Sequence, residues 1–297
     1  MFLMNKNGGL KSFLKEFLII SAFLLIGGCE PSLEKISREG SEVNLVVEGE
    51  INDMPGPFYI KVSYSADISN PHSNPKVSNL EISVEDQQEN KFFFRESDAK
   101  GIYEIIDSTF VGQLESSYHL NINSESGDLY KSLPQKLTLV PQIDTLYFNN
   151  AVEYFSEDSI IIFNDKFFAQ IEFKDNPSTR DYYRWKVFIN GKFREQPGSI
   201  YLENDLIFNG KVKTMVFSSD TLIEDDEIII QQFSLSQSGY EYWNLLKTQA
   251  SNIGTPFSPA PALIKGNIKN LKNPNELIIG HFDVSSKVSI QSKVMWP

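Results

Sequence analysis

The chain has 297 residues, of which 41% are hydrophobic, 22% charged and 12% aromatic, the proportions of a foldable globular protein. Its 27 Lys+Arg against 39 Asp+Glu leave a formal charge of -12, the wrong sign for a protein that gains affinity by neutralising phosphates, so nucleic acid is excluded as a main partner. One cysteine excludes an internal disulfide framework and a thiolate metal cluster, and three histidines argue against an all-histidine metal site.

The chain opens on a tripartite leader: Lys6, Lys11 and Lys15, the apolar run Phe17 to Ile26, then Gly27-Gly28-Cys29. That run is about half of the roughly 20 residues a membrane-spanning helix needs, which favours a secretory signal peptide. Small residues before the sole cysteine resemble the bacterial lipoprotein lipobox, in which a peptidase cleaves ahead of a diacylglyceryl-modified thiol; the alternative is a chance cysteine behind an ordinary signal peptide. Residues 1–28 are therefore expected to be removed, leaving Cys29 as a lipid anchor carrying diacylglycerol and palmitate-like chains, with no cofactor. The remaining chain carries 24 positive and 38 negative charges, net -14, so its body is repelled by anionic headgroups rather than lying on them. Residues 29–42 are polar and aperiodic and read as a flexible tether.

From Val43 the dominant period is two. Val43, Leu45, Val47 and Ile51, then Phe58, Ile60, Val62 and Tyr64, then Leu80, Ile82 and Val84, then Tyr118, Leu120 and Ile122 alternate with polar neighbours, separated by Asn/Asp/Pro/Gly/Ser turns. This spacing predicts an immunoglobulin-like β-sandwich over 43–140, ending in an extended crossing segment from Ser132 to Pro141. Such a domain is expected to fold by itself.

Strand signals resume at Ile143 to Phe148, Ile160 to Phe163, Phe167 to Phe173, Tyr183 to Ile189, Ile207 to Phe217 with an interruption, and Ile228 to Leu235. In the Tyr182 to Ile189 run Tyr183, Trp185, Val187 and Ile189 form one face and Tyr182, Arg184, Lys186 and Phe188 the other, which predicts a strand covered on both sides. One helix is expected near 238–251: Ser238 and Glu241 have capping-box spacing, Tyr242, Leu245, Leu246 and Gln249 recur at helical intervals, and Gly254 and Pro256 end it. Three further strands are expected at Leu263 to Ile268, Leu277 to Val284 and Val288 to Trp296. Residues 141–297 thus read as a second β-rich domain, barrel- or sandwich-like, with one helix. The fold class is mostly β.

Candidate chemistry is sparse. His72 lies in an Asn/Pro-rich loop, His119 on the polar face of a strand and His281 after Gly280; no pair has metal-ligand spacing, so all three read as solvated or hydrogen-bonded side chains. Glu224-Asp225-Asp226-Glu227 lacks the alternating acidic loop of a calcium site and reads as a solvated hairpin tip. No Gly-x-Ser-x-Gly elbow or glycine-rich phosphate loop is present, and the Ser-x-x-Lys pairs fall in the leader, the tether and a proline-rich loop. Paired carboxylates leave no local signature, so a glycoside hydrolase is not excluded on sequence. Tyr240, Tyr242 and Trp243 stand out. On a helix Tyr240 and Trp243 share a face and Tyr242 points elsewhere, so either the pair is core and the third residue half exposed, or the group is a recognition surface.

The lipobox, Leu45-Val46-Val47-Glu48-Gly49-Glu50-Ile51, Gly101-Ile102-Tyr103, Tyr118-His119-Leu120-Asn121-Ile122, Pro141-Gln142-Ile143-Asp144-Thr145-Leu146, Ser238-Gly239-Tyr240-Glu241-Tyr242-Trp243, Phe257-Ser258-Pro259-Ala260-Pro261 and Lys265-Gly266-Asn267-Ile268 together resemble a Bacteroidota outer-membrane lipoprotein family of unknown function, commonly encoded beside TonB-dependent receptors. Glu30 and Glu34 likewise resemble the acidic signal that sends such lipoproteins to the cell surface. The resemblance implies an immunoglobulin-like or carboxypeptidase-regulatory-like sandwich, a β-rich C-terminal domain and a place at the outer membrane. It supplies no catalytic residues, and His281 stands where an aromatic residue, usually Tyr, is expected. The expected role is a non-catalytic binding or accessory subunit of a TonB-dependent receptor β-barrel, capturing or gating a nutrient, with Tyr240, Tyr242 and Trp243 as candidate contacts. The alternatives are a purely structural outer-membrane subunit and a surface hydrolase.

Overall fold

The alternating residues of the first third do form strands, and their apolar faces enclose one core. The computed structural model describes residues 43–66, 74–156, 159–251 and 264–295, all within one compact unit, Glu42–Pro297. The leader, Cys29, the tether, His72, the Phe257 to Pro261 motif and Trp296 lie outside the described residues. The first part of the chain forms β1 (Leu45–Asn52), β2 (Tyr59–Tyr64), β3 (Glu81–Asp86), β4 (Lys91–Glu96), β5 (Ile102–Ile105), β6 (Ser117–Asn123), β7 (Leu129–Ser132) and β8 (Gln135–Lys136). There follow β9 (Ile143–Ser156), β10 (Ser159–Lys174), β11 (Tyr182–Ile189), β12 (Lys192–Phe193), β13 (Tyr201–Asn204), β14 (Val212–Val216) and β15 (Glu227–Leu235). The helix α1 (Gln237–Ala250) precedes β16 (Ile268–Asn270), β17 (Ile278–Ser285) and β18 (Lys287–Lys293). The described residues are mostly β with one α-helix, as the periodicity predicts. No helix among the described residues is long and apolar enough to cross a membrane.

The strands of 43–140 belong to one continuous ladder, ordered β16-β7-β6-β3-β4-β5-β2-β1-β17 with β8 on β6, that curls nearly into a barrel. Its ends are supplied from the far end of the chain: β16 pairs antiparallel with β7, and β17 pairs parallel with β1. The two ends are joined by a side chain. Asn267 Nδ2 donates to the Phe282 carbonyl and Asn267 Oδ1 accepts from the Phe282 N–H, both at 2.9 Å, so the amide stands in for a neighbouring strand and spares an exposed edge. A Cβ on Gly266 would lie 1.7 Å from the Gly280 carbonyl oxygen, and one on Gly280, at φ +105, 2.0 Å from that of Val47, so only glycine admits this approach. The Lys265-Gly266-Asn267-Ile268 motif is thus the closure of the sheet. Inside lie Val47, Ile60, Ile82, Leu120, Ile122 and Phe282, each essentially inaccessible to solvent and each contributing roughly 1.5–3 kcal/mol.

The second core is a small sandwich. The sheet β14-β10-β9 faces the sheet β12-β11-β15-β18, with β13 on β11, and Phe173, Tyr183, Trp185 and Phe217 fill the space between. The chain passes from the first sheet to the second body at Ser285 and Ser286. There Asp53 accepts from Ser286 Oγ at 2.7 Å and from the Lys287 N–H at 2.8 Å, while Ser234 Oγ accepts from the Ser286 N–H and donates to the Thr138 carbonyl. These bonds, made by residues distant in sequence, lock the two bodies together.

The helix differs from expectation at its start. Ser236 is the N-cap, its Oγ accepting from the Gly239 N–H at 3.0 Å, because that leaves the Ser238 hydroxyl beside it and lets Gln237 bond Glu241 one turn on. β4 carries no visible alternation because Phe92, Phe93 and Phe94 run consecutively, yet Phe94 is buried and Phe93 is 44% exposed.

Candidate functional site

The polar face of the first sheet does not look into open solvent where β17, β1 and β2 lie side by side. Register sets Glu48 beside His281 and Lys61, and Glu50 beside Asp283. Across from them stands the outer face of β11, with Arg184, Lys186 and Phe188, and α1 closes one end with Tyr242, Trp243 and Leu246. Between these walls is a cleft of about 670 Å³, within the usual range for a small-molecule site. Lys186 Nζ bonds Glu50 Oε2 at 2.7 Å and spans the two walls.

At the inner end of the cleft a charged cluster is built on the helix start. The Arg184 guanidinium carbon lies 3.3 Å from the centre of the Trp243 indole, the spacing of a stacked pair. The indole Nε1–H donates to Asp283 Oδ2 at 2.8 Å, and Asp283 Oδ1 lies 2.9 Å from His281 Nδ1, an ion-pair distance. Tyr242 lies over the His281 ring, centroids 5.1 Å apart. A Cβ on Gly239 would sit 2.9 Å from Asp283 Oδ1 and 3.5 Å from His281, so the glycine of the Ser238-Gly239-Tyr240 motif lets the helix close on this pair.

The electrostatics follow from burial. Burial raises the Asp283 carboxyl, but His281, Arg184 and the Trp243 indole outweigh it and hold Asp283 below its ordinary value. Burial lowers the Arg184 guanidinium, opposed by the carboxylates of Glu50, Asp283 and Glu48. Burial, with the charges of Glu48 and Asp283, pushes the Tyr242 hydroxyl up to about 12.

Of the aromatic residues singled out in the sequence, Tyr242 and Trp243 line the cleft and Tyr240 does not. Tyr240 packs on Tyr182 at 5.2 Å and its hydroxyl accepts from Asn204 Nδ2 at 3.0 Å. Tyr242, expected to point away from the core, is the buried member of the three. His119 sits half-buried 3.3 Å from Glu85, and burial lowers its imidazole. His281 is not solvated: it is 3% exposed, with Nδ1 against Asp283 Oδ1 at 2.9 Å and Nε2 buried without a hydrogen-bond partner. The acidic run before β15 is an exposed turn in which Asp226 accepts from Asn190 and from the Ile223 N–H, while Asp225 pairs with Lys293.

Sequence reading missed Arg184, His281, Asp283 and Glu48 as a group, since they come from three strands far apart in the chain. The available signal was Arg184 in the middle of an aromatic strand whose second face had to be covered. It also missed Asp175, Asp181 and Asp205, whose oxygens lie within 4.8 Å of one another. These are the described acids nearest to a cation-binding set, but protein donors already serve them: the Tyr183 hydroxyl and the Gly210 N–H at Asp175, Thr179 at Asp181 and the Asp181 N–H at Asp205. Burial, with the charges of Asp175 and Asp205, raises the Asp181 carboxyl.

Comparison with curated proteins gives no match. The model of the family described as a domain of unknown function (DUF4249) matches residues 32–291, which takes in both bodies, both walls of the cleft and the helix between them. Over nearly its whole length, therefore, the chain belongs to this domain-of-unknown-function family.

Proposed function

We propose that this protein is a non-catalytic binding subunit, held at the outer membrane through an acylated Cys29, which captures a nutrient in its cleft for a TonB-dependent receptor β-barrel. The observation that carries the reading is the cleft itself, a concave site of ligand size walled by Tyr242 and Trp243 and holding an arginine whose hydrogen bonds are unspent. The leader and lipobox support the anchor, and the resemblance to Bacteroidota lipoproteins supports the outer-membrane setting and the partner. A short tether gives the tethered body an effective concentration on the order of millimolar toward a neighbouring barrel, so a weak contact suffices.

The carboxylates Glu48, Glu50 and Asp283 in the same cleft favour a second reading, a surface hydrolase. Against it, Asp283 is held below its ordinary value, the opposite of what a general acid needs, and Glu50 is engaged by Lys186. Affinity purification from gently solubilised membranes with mass spectrometry tests both. Recovery of a β-barrel partner with the parent and its loss with Cys29→Ala, which also leaves the membrane pellet, is the expected result. Recovery of the parent free of any barrel, together with glycan or peptide cleavage that Asp283→Asn abolishes, decides for the hydrolase.

A further inference from the structure

The cleft carries information about the class of molecule it holds. The Arg184 side chain makes no hydrogen bond and no ion pair within 4.0 Å among the described residues, and its guanidinium lies over the Trp243 ring. A guanidinium stacked flat on an aromatic ring keeps its N–H donors around its edge, where their fork matches the two oxygens of a carboxylate. None of the Arg184 nitrogens is buried without a partner, so these donors face the open cleft, where a ligand can reach them, whereas the neighbouring His281 Nδ1 is already taken up by Asp283 Oδ1 at 2.9 Å.

The surrounding charge narrows the choice. Glu48 has no ion-pair partner among the described residues, stands next to His281 in the register and faces the Tyr242 hydroxyl closely enough to act on its ionisation. Glu195 lines the rim. Lys61, Lys186 and Arg194 line the same cleft, so its charge is mixed, and a polyanion reaching Arg184 would still meet the carboxylates of Glu48, Glu50 and Glu195 on a body of net charge -14 once the leader is removed. A molecule that carries one carboxylate and one positive charge meets complementary groups at both ends. Tyr59 and Phe193, 43% and 39% exposed along the cleft, offer apolar contact for what lies between.

We infer that the cleft takes a short unmodified peptide, its C-terminal carboxylate on the Arg184 edge and its amino group toward Glu48. This rests on the cleft being a binding site and specifies its ligand.

The test uses the full lipidated chain in detergent and four probe sets: tripeptides with free termini, the same tripeptides as C-terminal amides, the same with acetylated N-termini, and neutral oligosaccharides. Molecules retained on ultrafiltration are measured by mass spectrometry. Free tripeptides are expected to be retained, with affinity reduced roughly tenfold or more by amidation and to a smaller degree by acetylation. Arg184→Gln removes the distinction between acids and amides, and Glu48→Gln, at an exposed position, removes that between free and acetylated amines, both with melting curves confirming the fold. Should Arg184→Gln unfold, the acid-against-amide comparison on the parent still decides. Equal retention of acids and amides, or retention of oligosaccharides alone, overturns the peptide inference and leaves the cleft a binding site. Retention of nothing overturns both.

Discussion

Two arginines in this molecule sit beside buried acids and aromatic rings, and they have opposite fates. Arg194 donates through Nε to Asp220 at 2.8 Å, and the other oxygen of that carboxylate accepts from the Tyr201 hydroxyl at 2.8 Å, so the 1% exposed Asp220 is satisfied on both sides. The Arg184 side chain stacks on Trp243 near Asp283 and makes no hydrogen bond among the described residues. The first group spends its hydrogen bonds on holding β12, β13 and the turn before β15 together. The second keeps them. Buried charge therefore indicates a site only where the bonding is incomplete, and on that criterion the three-aspartate group around Asp175 falls with Asp220 as structure.

Both regions depend on the backbone that β16 and β17 return to the first sheet. Residues 43–140 expressed alone lose β16 and β17, hence the partner strands of β7 and β1 and the buried Ile268, Ile278, Phe282 and Val284. The fragment is expected to show no cooperative thermal transition, whereas residues 43–297 melt in one step; a sharp melt of the fragment would show that the first sheet closes without them. Next in size, Asp220→Ala removes the buried carboxylate from both partners, leaving Arg194 with Gln196 at 3.5 Å and the Tyr201 hydroxyl with the Ser219 N–H at 3.2 Å, and is expected to lower stability by about 3 kcal/mol in urea unfolding while peptide retention persists.

A smaller, pH-dependent effect belongs to Asp283. Its folded pKa lies below the ordinary 3.8, so its contribution to stability is fully present above that value and is lost as pH falls through the folded one. The stability difference between the parent and Asp283→Asn is expected to be constant above about pH 5 and to shrink toward pH 2. A difference that grows on acidification would mean the carboxyl is raised instead. Smallest of all, Arg184→Gln forfeits the stacking on Trp243 and a charge near Asp283 but breaks no side-chain hydrogen bond among the described residues, and is expected to change stability by about 1 kcal/mol. A loss as large as that of Asp220→Ala would place Arg184 among the structural charges.

How much of this was readable beforehand depended on range. The alternation in β1, β2, β3 and β6 and the helix through Tyr242 were legible because each element buries its own side chains at its own period. The cap moved two residues, from Ser238 to Ser236, because competing hydroxyls two apart offer the same local bond and only packing against Gln135 and Gly239 chooses. The sequence marks the aromatic group but not its inward member: the ring packed on the buried Tyr242 is that of His281, some forty residues on, and no local pattern links the two.

The sequence by itself determined the composition of the parts: a β-rich chain with one helix, an acidic surface, a leader ending at a lone cysteine, and an aromatic strand that had to be covered on both faces. These follow from period, charge and chain-local chemistry. Only the tertiary structure decided that the last strands return to the first sheet, that Asn267 joins its ends, and that Glu48, Arg184, Trp243, His281 and Asp283 meet. Those outcomes depend on which distant backbones approach one another. The glycines that permit the approach, Gly239, Gly266 and Gly280, show in a sequence only as missing side chains, and what fills the space they leave is fixed by the packing of the whole.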